Sequence, residues 1–123
     1  MKKIELYDTT LRDGTQGIDI NLSLADKIRA ARKLDEMKID YIEGGFPSSN
    51  GKDVRFFERM QKEHLSHAKL VSFGFTKSPE TAAEEDPHLQ AMLRAETEYV
   101  TMVGKAWKAH VEKILLTDSE KNL

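Results

Sequence analysis

The 123-residue chain carries 19 basic and 21 acidic side chains, a formal net charge of -2, 39% hydrophobic residues, 33% charged residues and no cysteine. That balance suits one modest core rather than disorder. It leaves no basic stripe to neutralise phosphates, so nucleic acid is excluded as a partner, and it removes disulfides, thiolate metal sites and cysteine nucleophiles together. No apolar run approaches the roughly 18 residues of a membrane helix, and Met1-Lys2-Lys3 leads into a strand-like segment without the apolar stretch of a secretory leader. The expected setting is the cytoplasm, with no membrane partner.

Ile4 to Asp8 alternates apolar and polar residues and runs into a Thr, Arg, Asp and Gly cluster, which reads as a first strand ending in a loop. Ser23 with Asp26 three positions on forms a capping box, and Leu24, Ile28, Ala31, Leu34 and Met37 recur at helical spacing, predicting a helix from Leu24 to Lys38. Tyr41-Ile42-Glu43 reads as a short strand closed by Gly44-Gly45 and Pro47, followed by a helix carrying Val54, Phe57 and Met60. Lys69 to Phe75 is a third strand. Asp86-Pro87 then supplies an N-cap with proline at the first helical position, ahead of Leu89, Met92 and Leu93. Glu98 to Val103 is a fourth strand, and Trp107, Val111, Ile114 and Leu115 share one face of a short helix. Thr117 with Glu120 looks like another capping box, so a further helix is expected to begin there.

Strands recurring roughly every 30 residues, each followed by a helix, argue an α/β fold with a parallel sheet and helical crossovers. No linker, low-complexity tract or second domain interrupts residues 1–123.

In parallel α/β folds chemistry gathers at the C-terminal strand ends. The loop Asp8-Thr9-Thr10-Leu11-Arg12-Asp13-Gly14 holds an arginine and two carboxylates. Asp13 can give an oxygen ligand to a hard cation and Arg12 can stabilise a developing oxyanion, although the same residues also make ordinary turns. Glu43, on the face of Tyr41 and opposite Ile42, points inward, where a carboxylate is costly unless paired. Arg12 on the neighbouring strand end is its natural partner, either as a purely structural ion pair or as one that aims the guanidinium at a substrate.

The strings LYDTTLRDGTQG (Leu6–Gly17) and YIEGGFPSSNGKD (Tyr41–Asp53) resemble signature segments of the metal-dependent condensing and lyase superfamily that includes the 2-isopropylmalate, homocitrate and citramalate synthases. The similarity continues through FGFTK, DPHLQAML and VGKAWKAHV and is nearest to the citramalate synthase branch. This resemblance implies a TIM (β/α)8 barrel, of which residues 1–123 would be the N-terminal part, about the first four strands with three to four helices. Such a barrel needs roughly 250 residues. It implies a homo-oligomeric acyltransferase that condenses acetyl-CoA with a 2-oxo acid, pyruvate favoured, using a divalent metal (Mg, Mn or Zn). Within it Arg12 and Glu43 match catalytic positions, Gln16 a substrate-binding glutamine and Asp13 a metal-ligand aspartate. The family's His-x-His metal pair does not occur in this sequence. The catalytic base is expected beyond Leu123, and the chain alone is expected to be inactive. Thr15, Phe46 and Gly51 depart from the alanine, tryptophan and proline common in the branch.

Two other enzymatic readings stay open, a 2-isopropylmalate or homocitrate synthase and a C–C lyase of the same superfamily; a third is a truncated folding module without activity. His64 and His67 have a spacing that can bind metal, but they read better as groups suiting a helix C-terminus. His88 is expected to be exposed and His110 to pack near Trp107. Phe73, Phe75 and Met102 either line a substrate pocket or fill the interior. The Gly44-Gly45 pair reads as close backbone packing rather than a phosphate cradle.

Overall fold

The computed structural model describes residues 2–122. Its four strands, β1 (Tyr7–Asp8), β2 (Tyr41–Gly45), β3 (Lys69–Phe75) and β4 (Tyr99–Val103), form one sheet in the order β1-β2-β3-β4 with every pairing parallel. Helices α1 (Leu24–Glu36), α2 (Gly51–Met60), α3 (Pro87–Arg94) and α4 (Lys108–Lys113) alternate with them. This is the expected partial α/β barrel. No helix of the described residues is long and apolar enough to cross a membrane.

The sheet is strongly curled. Tyr7 on β1 and Thr101 on β4 lie three strand intervals apart, a span of about 14 Å in a flat sheet, yet their hydroxyl oxygens are 2.5 Å apart across the concave face. The convex face packs on the helices. Ile42, Ala31, Phe56, Phe57, Met60 and Ala95 are buried there, with Leu11 closing the core beneath the first loop.

Local chemistry sets the boundaries. The capping box at Ser23 and Asp26 starts α1 as expected. The helix ends at Glu36 rather than Lys38, because Lys38 adopts a left-handed φ of 62°. Lys38 N–H then donates to Asp35 O and Ile39 N–H to Leu34 O, the paired bonds of a Schellman ending, and Met37 is left exposed. The first strand begins at Tyr7 rather than Ile4, since the Leu6 N–H is taken by the Asp40 side chain and Ile4 lies exposed. Asn50 caps α2 by accepting from Asp53 N–H. Asp86 caps α3 through His88 N–H and Leu89 N–H, with Pro87 in the first turn.

Several expected core positions lack a packing partner, and one expected helix is replaced by a turn. Val54 and Leu93 face outward, and Phe56 takes the core position on α2 beside Phe57 and Met60. On α4 Val111 is buried, whereas Trp107 and Ile114 are exposed. No helix forms after Thr117 among the described residues; Asp118 accepts from Lys121 N–H to make a turn instead.

The glycine pair forms the last two residues of β2 rather than the loop after it. Glu43 pairs with Val71 and Gly45 with Ser72, so Gly44 is an extra residue, a bulge beside the inward carboxylate. A Cβ on Gly44 would stand 2.6 Å from Phe56, and one on Gly45 2.6 Å from Asp53. The close packing expected for this pair is what the structure contains. It seats Asp53, whose carboxylate accepts from Lys27 Nζ at 2.5 Å and from Phe46 N–H at 2.8 Å. Lys27 and Asp53 are both buried, and their pairing is what makes burying each charge tolerable.

Candidate active site

The loop after β1 winds around a single carbonyl. Thr9 O accepts from the backbone N–H groups of Arg12, Asp13 and Gly14. Asp8 spends its carboxylate on Thr10, accepting from its N–H at 3.0 Å and from its hydroxyl at 2.9 Å, so it is turn chemistry. Leu11 is fully buried and anchors the loop. Thr15 donates its hydroxyl to Arg12 O at 2.8 Å, which an alanine at this position could not do. Arg12 and Asp13 are thereby projected from a turn that is bonded at both ends.

Glu43, 1% exposed, meets Arg12 as the inward alternation of β2 requires. Arg12 Nε donates to Glu43 Oε1 at 2.5 Å and Arg12 Nη1 donates to Asp13 Oδ1 at 2.9 Å. The guanidinium carbon lies over the Phe73 ring, 4.1 Å from its centroid. Phe46 stands edge-on to both Phe73 and Phe75, so a phenylalanine serves as aromatic wall where the branch commonly has tryptophan.

The other oxygen of Glu43 accepts from Tyr7, whose hydroxyl donates to Oε2 at 2.5 Å. Burial, aided by this bond to a carboxylate, pushes the Tyr7 phenol up to about 12. Sequence reasoning missed Tyr7 and Thr101. The usable signal was a tyrosine at an inward strand-end position, because a phenol placed inside a fold needs a hydrogen-bond partner.

The remaining candidates fall as follows. Asp13 is more than half exposed and reaches the same mouth as Arg12. Gln16 ends a 3-10 turn, Gly14–Gln16, and its exposed side chain makes no hydrogen bond among the described residues. Phe73 and Phe75 face inward, but Met102 does not. Met102 pairs with Gly74, which packs on Met92 of α3, so both lie on the helix side, and Val103 opposite Phe75 is the inward residue.

The histidines stand apart from this group. Helix α2 stops at Met60, so His64 and His67 occupy the following loop rather than a helix end. His67 there pairs with Asp40 at 3.2 Å. His88 is exposed on α3, and His110 packs edge-on against Trp107 with centroids 4.6 Å apart.

Asp13 fits a hard cation as one oxygen ligand, since Oδ1 is engaged by Arg12 and Oδ2 has no hydrogen-bond partner among the described residues. No group of three or more His, Cys, Asp or Glu side chains that could hold a metal occurs among the described residues. Further ligands would have to come from elsewhere.

Comparisons with known proteins bear on the chain as a whole. The chain is 49% identical over 123 residues to an (R)-citramalate synthase of Geobacter sulfurreducens, covering 100% of this chain and 23% of that protein. It is 51% identical over 118 residues to one from Synechocystis sp., covering 96% of this chain and 22% of that protein. A 2-isopropylmalate synthase of Geobacillus kaustophilus is 49% identical over 53 residues, 43% of this chain and 10% of that protein. The chain thus spans about a quarter of the length of the curated relatives it matches. The HMGL-like family profile matches residues 3–123, and the chain belongs to that family.

Proposed function

We propose that this chain supplies the first strands of a cytoplasmic, metal-dependent barrel enzyme that condenses acetyl-CoA with a 2-oxo acid, pyruvate favoured, to give citramalate. The observation that carries this reading is the buried Glu43 holding Arg12 by Nε, while Nη1 of the same guanidinium donates to Asp13. Glu43 has both oxygens engaged, so it acts through Arg12 rather than on substrate. Similarity to (R)-citramalate synthases over the whole of this chain, against a shorter match to 2-isopropylmalate synthase, favours pyruvate over a bulkier 2-oxo acid and favours condensation over lyase chemistry.

Asp13 would give one oxygen ligand to a divalent cation (Mg, Mn or Zn), which when bound supplies Lewis acidity toward the carboxylate and carbonyl oxygens of a 2-oxo acid. Arg12 donates hydrogen bonds toward the carbonyl oxygen, where negative charge grows as the new C–C bond forms. A base outside this chain removes a proton from the acetyl methyl group, the resulting carbon attacks the carbonyl carbon, and water then cleaves the thioester to release free CoA. Gln16, exposed at the end of the turn after Asp13, would bind substrate, a role that rests on the family resemblance. A cavity of about 610 Å³ opens at the ends of β3 and β4. Its Lys77, Lys105 and Lys121 suit the phosphates of CoA, and Phe75, Leu89 and Met102 suit its apolar stem.

The test is a chimera in which Met1–Leu123 replaces the matching segment of the Geobacter enzyme. With pyruvate and acetyl-CoA it should release CoA, read with a thiol reagent. Arg12→Ala should lower kcat about 100-fold or more, the scale of losing an oxyanion donor, and Asp13→Ala should abolish turnover. A folded chimera indifferent to both substitutions overturns the reading.

A further inference from the structure

Tyr7 lies within the Leu6–Gly17 string but carries none of the site roles given to that segment, yet it completes the hydrogen bonding of the buried carboxylate at the mouth. We propose that Tyr7 is a positioning residue, which fixes the guanidinium of Arg12 by holding the second oxygen of Glu43. The catalytic part of this inference rests on the role given to Arg12 above.

A buried carboxylate must find partners for both oxygens. Glu43 has one for each, Arg12 Nε on Oε1 and the Tyr7 hydroxyl on Oε2, both at 2.5 Å. The two bonds come from different directions, β1 and the loop after it, so together they fix the plane of the carboxylate.

The phenol has a single proton. With that proton given to Glu43, the contact to Thr101 Oγ1 has one possible sense, and Thr101 donates to the tyrosine oxygen. Each hydrogen bond from β4 to Arg12 therefore has a defined direction. The high phenol pKa keeps this sense through neutral pH.

The tyrosine ring is held without its hydroxyl. It stacks on Tyr41, with centroids 6.1 Å apart and planes at 26°, and Tyr41 in turn meets Tyr99 edge-on. Tyr7→Phe therefore removes the hydrogen bond and leaves the packing.

Arg12 has five N–H donors. One serves Glu43 and one serves Asp13, which leaves three for a ligand. Their aim is set by the Nε bond and by the Phe73 ring beneath. Without Tyr7 the Glu43 carboxylate can rotate to seek a new partner for Oε2, and the Nε bond turns with it.

The first test uses the chain itself. Hydrogen exchange of the Arg12 Nε–H, followed by NMR, should be slow in the wild type and about tenfold faster in Tyr7→Phe, the factor expected for a weakened bond to a charged group. Thr101→Val, which leaves Glu43 untouched, should give an intermediate rise. Unchanged exchange in variants with native amide spectra overturns the proposal.

The second test uses the chimera. Tyr7→Phe should cut kcat about 10- to 100-fold, as loss of an outer partner does, with the KM for acetyl-CoA unchanged. The double variant with Glu43→Gln should be no worse than Glu43→Gln alone. Additive losses would mean that Tyr7 acts by another route. If wild-type chimera releases no CoA while the exchange result stands, the functional reading fails and the hold of Tyr7 on Arg12 survives.

Discussion

Asp35 occupies the last turn of α1, where a helix dipole disfavours a carboxylate. It is nevertheless buried, because it caps the chain that enters β3, accepting from Ser66 N–H, His67 N–H and Ala68 N–H and from the Ser66 hydroxyl. Burial by itself would raise its pKa, but the three backbone donors outweigh that and hold the carboxyl far below the usual carboxylate range. A depressed folded-state pKa contributes stability that is present above the unfolded value, about 3.9, and is lost as pH falls below it. Asp35→Ala should cost about 1–3 kcal/mol at neutral pH, the price of leaving buried donors unpaired. Urea melts at pH 7 and pH 3 should show the gap between wild type and variant narrowing in acid. A gap independent of pH would mean that the ionised form is not what the three amides hold.

Helix starts carry the next scale of information. Each of α1, α2 and α3 has a side-chain N-cap, from Ser23, Asn50 and Asp86 respectively. Gly51, where the branch commonly has proline, is the first residue of α2 and has no positive φ. Asn50 before it is extended, as a residue preceding proline should be, and a Cβ on Gly51 would meet nothing nearer than Arg55 at 3.9 Å. Gly51→Pro should therefore raise stability by about 0.4–1 kcal/mol, through the entropy of the unfolded chain. Thermal melts of the two chains measure it, and a lower midpoint would show that the Gly51 N–H or its φ matters in a way this geometry does not require.

At the scale of the whole molecule, β1 and β4 are sheet edges without a neighbouring strand among the described residues. Tyr7, Phe75 and Val103 on the concave side, with Val100 and Met102 on the helix side of β4, are all exposed. Edges and apolar surface of this kind invite pairing. The isolated chain should self-associate, most simply as two copies that complete a barrel-like closure, and sedimentation showing a clean monomer at high concentration would count against it. Calorimetry should find divalent-metal binding weaker than micromolar, since Asp13 is one ligand where several are needed. Tight binding abolished by Asp13→Ala would show that ligands beyond Asp13 already exist in this chain.

The sequence by itself determined the β-then-α order, the caps at Ser23 and Asp86, the inward turn of Glu43 and its pairing with Arg12. All of these follow from periodicity, short-range side-chain bonds or the cost of an unpaired interior charge, and each is local or involves neighbouring strands. What tertiary structure decided depended on distant partners. Asp40 shortened β1 by taking the Leu6 N–H, Phe56 and Asp53 made the glycine pair a bulge, and register with Gly74 turned Met102 away from the interior. The Tyr7 bonds belong to the same class, because only a sheet curled tightly enough to bring β4 across to β1 lets Thr101 meet a residue 94 positions earlier.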